Sequence, residues 1–252
     1  MKKTASRSTG PNAPRRHFTG LLLGTVAVAA LAWQGSSFAL GGGAEEGVRI
    51  PAPTQDVSPV AAAGKLQKAV FAGGCFWGVQ GVFQHVKGVS QAVSGYAGGT
   101  AATASYPTVS SGRTGHAEAV EVSYDPAVVS YGALLQVFFS VAHNPTQLNR
   151  QGPDSGTQYR SALFPADEAQ RKVAEAYIEQ LQAAKVYPAS IVTKLEPAGP
   201  FYAAEAYHQD FLTEHPNHGY IVAHDLPKLA ELQKIFPSRF RAEPVLVKRG
   251  AT

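Results

Sequence analysis

Cys75 is the only cysteine in the chain. It stands in "AVFAGGCFWGVQGVF", residues 69 to 83, after the glycine pair Gly73-Gly74 and before Phe76 and Trp77. "KAVFA" (68–72) reads as a short strand, and from Cys75 onward Phe76, Val79, Phe83 and Val86 recur at helical spacing. The thiol therefore falls at a strand-to-helix junction. There the unpaired N–H groups and the positive end of the helix favour the thiolate, so the thiol pKa is expected below its free value of about 8.5. Gly73 and Gly74 leave the sulfur approachable, and Phe76 with Trp77 offers a wall for a small apolar group. A lone cysteine is more often a small buried hydrophobe, but the flanking glycines and the helix start favour a nucleophile.

Two partners compete for that nucleophile. His116 in "TGHAE" offers a Cys/His pair. The alternation in "HAEAVEVSYDP" instead puts Glu118 on one strand face with Val120, Val122 and Tyr124. A carboxyl group among apolar neighbours has a raised pKa and stays protonated near neutrality, as a general acid requires.

The elements that must hold these groups can be read from the same patterns. Val89 to Tyr96 is a second strand, and Ser130 caps a helix with Leu134, Phe138 and Val141 inward. A polar loop covers 144–156, a strand 157–164, a helix 167–185, a strand 190–195 and helices 202–212 and 227–235. Strands and helices interleave, which predicts an α+β fold with one sheet covered by helices. No internal repeats are present.

The chain has 252 residues, 44% hydrophobic and 16% charged, enough apolar material for a core of moderate size. The formal +4 resides in Lys2, Lys3, Arg7, Arg15 and Arg16, since 1–39 contain no acid and the remainder is formally one charge negative. A nucleic-acid-binding reading is excluded on that distribution. Residues 1–39 read as an export signal: a basic region, an apolar run from Leu21 to Trp33, and Ser37-Phe38-Ala39 as a small-x-small cleavage site. "RRHFTGLLL" (15–23) resembles a twin-arginine signal, which implies export after folding, with uncleaved anchoring as the alternative. The run is too short to span a bilayer. Residues 40–65 read as a Gly/Pro/Ala linker, 66–236 as the catalytic domain and 237–252 as a tail. Outside the cytoplasm a lone thiol is a candidate free reactive group.

"GGCFWG", "SGYAGG" (94–99), "SGRTGHAEAVEVSYDP" (111–126), "NRQGPDSGTQYRSA" (149–162) and "FYAAEAYHQDFL" (201–212), in that order, resemble the A-type peptide-methionine sulfoxide reductases. The resemblance implies a two-layer ferredoxin-like sandwich with one mixed sheet. It implies Cys75 as nucleophile, Glu118 as proton donor to the sulfoxide oxygen, and Tyr106, Asp154 and Tyr159 beside them. By the same resemblance, Phe76 and Trp77 are expected to hold the substrate methyl, with Gly74 and His208 completing the binding site. The implied reaction converts the S epimer of methionine sulfoxide, free or peptide-bound, to methionine and leaves Cys75 as sulfenic acid. Many relatives carry resolving cysteines; this chain has none, so an external thiol is expected to complete the cycle, as a thioredoxin-like protein, a glutaredoxin system or a small thiol. No bound cofactor, no metal and a monomer are expected. His208, His215, His218 and His224 fit no common zinc spacing, and His116-Ala117-Glu118 lacks the P-C-x-x-C partner of zinc deaminases. The rival readings are a Cys75/His116 thiol peroxidase or hydrolase, and a non-catalytic module gripping apolar side chains at Phe76 and Trp77.

Overall fold

The computed structural model describes residues 46–58 and 64–247. The export signal read in 1–39 lies outside them. Four strands build the sheet centre: β1 (Gln67–Gly73), β2 (Val89–Ala97), β3 (Ala117–Tyr124) and β6 (Ser161–Phe164), in the order β6-β1-β3-β2 and all antiparallel to their neighbours. Helix α1 (Phe76–Gln84) connects β1 to β2, and α3 (Tyr131–Val137) lies between β3 and β6. This is the ferredoxin-like order. Two short strands extend it: β7 (Lys194–Leu195) runs parallel to β6, and β8 (Phe201–Ala203) runs antiparallel to β2, so the sheet is mixed.

The two faces of β3 carry different loads. Glu118, Val120, Val122 and Tyr124 face α1 and the main core, while Ala117 and Ala119 join Ala72, Ala97, Ala162 and Phe164 in a small cluster on the opposite face. Phe71 on β1 anchors the main core, fully buried and stacked on Phe83 of α1 at 4.6 Å. A buried phenylalanine contributes about 1.5–3 kcal/mol. Ser130 caps α3 by accepting from the Ala133 N–H at 3.1 Å, and Asp167 caps α4 (Glu168–Ala183) by accepting from Gln170 at 2.8 Å. Gly88, at φ +92°, makes the turn from α1 into β2.

Several expectations need correction. Within the expected linker, residues 46–58 pack on the domain: Val48 and Ser140 exchange two hydrogen bonds, Ile50 is buried, and Tyr177 Oη donates to the Pro51 carbonyl at 2.7 Å. Asp56 accepts from Gly132 N–H and Ser130 Oγ at the start of α3, where an acid complements the helix end. The described part of the expected tail is also tied down: Phe240 bridges Val86, and the Val245 N–H donates to the Gln84 carbonyl. The helix expected over 202–212 is β8, a single 3₁₀ turn (Ala206–His208) and the short α5 (Phe211–Glu214), because residues 201–203 pair with the free edge of β2. The expected strand 157–164 begins as a 3₁₀ turn over Thr157–Tyr159, and of 190–195 only the last two residues pair. The polar loop 144–156 folds into a two-stranded hairpin of β4 (Arg150–Gln151) and β5 (Asp154–Ser155). The last helix, α6 (Leu226–Ile235), follows a π-helical turn over Ile221–Asp225.

Candidate active site

Cys75 is the N-cap of α1, directly after Gly74 at φ +88°. Left-handed backbone suits glycine there, and a Cβ on Gly74 would also lie 2.4 Å from Cβ of Gln151. The strand-to-helix turn is therefore closed over by the β4–β5 hairpin.

Two N–H groups at the start of α1 serve the site. Phe76 donates to Glu118 Oε2 at 3.0 Å, and the Trp77 N–H is directed at the Cys75 sulfur. Glu118, 3% exposed, thus shares the helix end with the thiol. Burial pushes its carboxyl pKa up to about 8 against the pull of the Phe76 N–H, so it is mainly protonated at neutrality. This is the state that the strand alternation predicted.

The thiol itself departs from expectation. Burial, then the carboxylates of Glu118 and Asp225, raise the Cys75 pKa well above its ordinary value, while the Trp77 N–H pulls it down. The helix-end rule fails because the sulfur is buried and shares the donors of the first turn with an acid. In the free protein Cys75 is a thiol.

His116 is no partner for it. Its Nδ1 accepts from the Gly99 N–H at 3.2 Å, so Nε2 carries the proton and donates to the Thr100 carbonyl at 3.0 Å. Both ring nitrogens are spent on the segment that leaves β2, which removes the base that a Cys/His peroxidase or hydrolase would need.

The remaining predicted groups converge from separate elements. Tyr106 opens the short helix α2 (Tyr106–Val109), and Tyr159 closes the 3₁₀ turn after the hairpin. Burial raises both phenol pKa values, and both feel the charges of Glu118 and Cys75. Both are neutral hydroxyl donors at physiological pH. Asp154, on β5, accepts a hydrogen bond from Tyr220 Oη. Trp77 stacks on Phe211 at 3.7 Å and donates from Nε1 to His208 Nδ1 at 3.2 Å. His208 is buried among Phe76, Trp77 and Tyr106, with ring centroids at 5.0, 5.8 and 4.4 Å. Desolvation lowers its pKa, so it is a neutral acceptor that orients the tryptophan. Phe76 is itself a core residue, 1% exposed, and backs the site behind Trp77.

Sequence reading missed Glu205, Tyr220 and Asp225. Glu205 accepts from Tyr96 Oη and from the Tyr106 N–H, both at 2.9 Å, and so ties α2 to β2 beside Glu118, which lies opposite Tyr96 in the sheet. Only its position three residues before His208 in the fifth matched block could have pointed to it. Tyr220 holds Asp154, and Asp225 is fully buried near the first turn of α1.

Fold and site together define an α+β thiol enzyme in which a neutral carboxylic acid and two phenols surround one cysteine. The model of the peptide methionine sulfoxide reductase family matches residues 67–239. The peptide methionine sulfoxide reductase of Mesorhizobium japonicum is 64% identical over 181 residues, covering 72% of this chain and 93% of its own. The corresponding protein of Synechocystis is 50% identical over 195 residues, covering 77% and 91%. Among solved structures, reduced Mxr1 from Saccharomyces cerevisiae superposes with a TM-score of 0.55 at 35% identity, over 62% of this chain and 88% of that one. Methionine sulfoxide reductase A of Corynebacterium diphtheriae gives 0.51 at 36%, over 69% and 88%. The chain belongs to the A-type peptide methionine sulfoxide reductase family, and it is an oxidoreductase that reduces methionine sulfoxide.

Proposed function

We propose that Cys75 attacks the sulfoxide sulfur while Glu118 gives its proton to the sulfoxide oxygen, with Tyr106 and Tyr159 donating hydrogen bonds to that oxygen as charge develops. The observation that carries this reading is the buried, neutral Glu118 sharing the first turn of α1 with the thiol. A thiolate displaces oxygen from sulfur only if the oxygen is protonated, and the thiol proton, passed to Glu118, restores the acid. The step balances as Cys75–SH plus R–S(O)–CH3 giving Cys75–SOH plus R–S–CH3. Trp77, fixed by His208 and Phe211, receives the methyl group.

A second thiol must then reduce the sulfenic acid. Because Cys75 has no cysteine partner in the chain, that thiol comes from outside, as a thioredoxin-like protein, a glutaredoxin system or a small thiol. No bound cofactor enters the scheme. The basic, apolar and small-x-small order of residues 1–39 supports export, so the substrates are oxidised proteins and free methionine sulfoxide outside the cytoplasm, handled by a monomer.

Single-turnover reaction with each sulfoxide epimer separately, without reductant, tests the scheme. The S epimer should yield one equivalent of methionine and Cys75 sulfenic acid by mass spectrometry. Equal turnover of both epimers, or turnover without a sulfenic product, overturns it.

A further inference from the structure

The GCFWG block ends in Gly78, the third residue of α1. A Cβ at Gly78 would lie 2.1 Å from Oδ1 of Asp225 and 2.7 Å from Nζ of Lys228. Only a residue without a side chain admits this ion pair to the first turn of the helix whose cap is Cys75. Asp225 is completely buried, Lys228 Nζ meets its Oδ1 at 3.1 Å, and its Oδ2 has no hydrogen-bond partner among the described residues. A buried ion pair rarely adds net stability, and an unmet buried acceptor is costly. Nothing in the proposed sulfoxide chemistry uses this carboxylate. Its location is the remaining clue.

We propose that Asp225 is a positioning residue for Cys75: seated against the first turn of α1, its carboxylate opposes the positive helix end and holds the free enzyme's sulfur as a thiol, which spares it from hydroperoxides. The inference rests on Cys75 being the reactive group. The titratable groups that interact electrostatically with the sulfur are Glu118 from β3, Asp154 from the β4–β5 hairpin, Tyr106 from α2, Tyr159 from its 3₁₀ turn, and Tyr220 and Asp225 from the segment before α6. Lys228 and His224 face Asp225 in turn. Glu118 repels a thiolate only when ionised, which its pKa of about 8 delays beyond neutrality. Asp154 contributes least to raising the thiol among these carboxylates. Burial raises the Asp225 pKa and the Lys228 ammonium on its Oδ1 opposes that rise, so with Glu118 mainly neutral near pH 7 the ion-paired Asp225 acts on the thiol ahead of Asp154.

The consequence is chemical. A hydroperoxide oxidises the sulfur by Cys75–SH plus H2O2 giving Cys75–SOH plus H2O, and a second peroxide converts the sulfenic acid to sulfinic acid, which ordinary thiols do not reverse. The thiolate is the reacting form. With no second cysteine to capture the sulfenic acid as an internal disulfide, suppressing the resting thiolate is the protection left to the chain.

The test is the pH profile of Cys75 carbamidomethylation by iodoacetamide, followed by mass spectrometry on the full chain and on Asp225→Asn. Loss of one nearby charge should lower the profile's midpoint by about one unit and raise the rate near pH 7.5 about tenfold. The high-pH plateau should stay in place, and inactivation by hydrogen peroxide should accelerate about tenfold. An unmoved midpoint in folded Asp225→Asn overturns the proposal, including the case where the plateau alone rises, which signals a loosened site. If Asp225→Asn does not fold, Gly78→Ala, whose methyl group displaces the carboxylate, must lower the midpoint, and an unmoved midpoint there overturns it equally. Alkylation needs no sulfoxide, so failure of the sulfoxide mechanism would appear separately, in single turnover.

Discussion

Replacing Glu118 by glutamine should injure catalysis and relieve a stability cost at the same position. The native carboxyl titrates at about 8 rather than at 4.5, because it is buried. Below pH 4.5 the folded and unfolded chains both carry the proton, and the group imposes no cost. Between 4.5 and about 8 the unfolded chain ionises and the folded one does not, so the unfolded state binds fewer protons and stability falls as pH rises. At about 1.4 kcal/mol per unit the loss reaches about 5 kcal/mol above pH 8. A glutamine side chain does not titrate, and its amide oxygen can still accept the Phe76 N–H. Urea unfolding at pH 5 and pH 9 should therefore show Glu118→Gln gaining about 4 kcal/mol on the wild type between the two. The difference between variants removes the contribution of every other titrating group.

The catalytic side runs in the opposite direction. General acid catalysis is worth about 10²–10⁴-fold, so the single-turnover rate at pH 7 should fall by that factor in Glu118→Gln while substrate affinity holds. About nine-tenths of Glu118 is protonated at pH 7 and about one-tenth at pH 9, so the wild-type advantage should shrink about tenfold across that interval. Parallel stability curves for the two proteins would refute the buried neutral acid. An unchanged single-turnover rate would refute its role as proton donor.

Two further perturbations probe the turn around the sulfur. Cys75→Ser should abolish methionine sulfoxide reduction in a coupled assay with dithiothreitol, and measurable turnover would remove the nucleophile from the scheme. Gly74→Ala places a side chain at φ +88° and 2.4 Å from Cβ of Gln151. It should cost about 1–3 kcal/mol, lower Tm by about 3–10 °C in calorimetry and reduce activity by tilting the cap of α1; an unchanged Tm would show that the hairpin yields freely.

Much of the site was legible because it obeys local periodicities. The Gly73-Gly74 break and the helical recurrence from Phe76 placed Cys75 at a helix start, and strict alternation placed Glu118 on the buried face of β3. The Ser130 cap was equally readable, since a cap is satisfied within three residues of itself. Residues 46–58 and 237–247 were misread because their partners are distant: lacking periodicity, they are held by backbone groups of α1, by the π-helical turn Phe138–Ala142 that continues α3, and by side chains such as Tyr177 and Asp210. Residues 201–203 became a strand because β2 had a free edge to pair, which no local pattern announces.

The amino-acid sequence by itself determined that the chain holds a single cysteine at a helix start and a glutamate on the apolar face of a strand, and their order along the strands and helices, since each follows from residue type or short-range spacing. Tertiary structure decided their protonation states and which of them meet. Cys75 is a thiol because burial, Glu118 and Asp225 outweigh the pull of its own helix end. His116 is excluded because Gly99 and Thr100 occupy both its nitrogens. Tyr106 and Trp77 are oriented by Glu205 and His208, which arrive from the far end of the sheet. Acidity and orientation depend on desolvation and on charges brought close by folding, and neither is a property of sequence spacing.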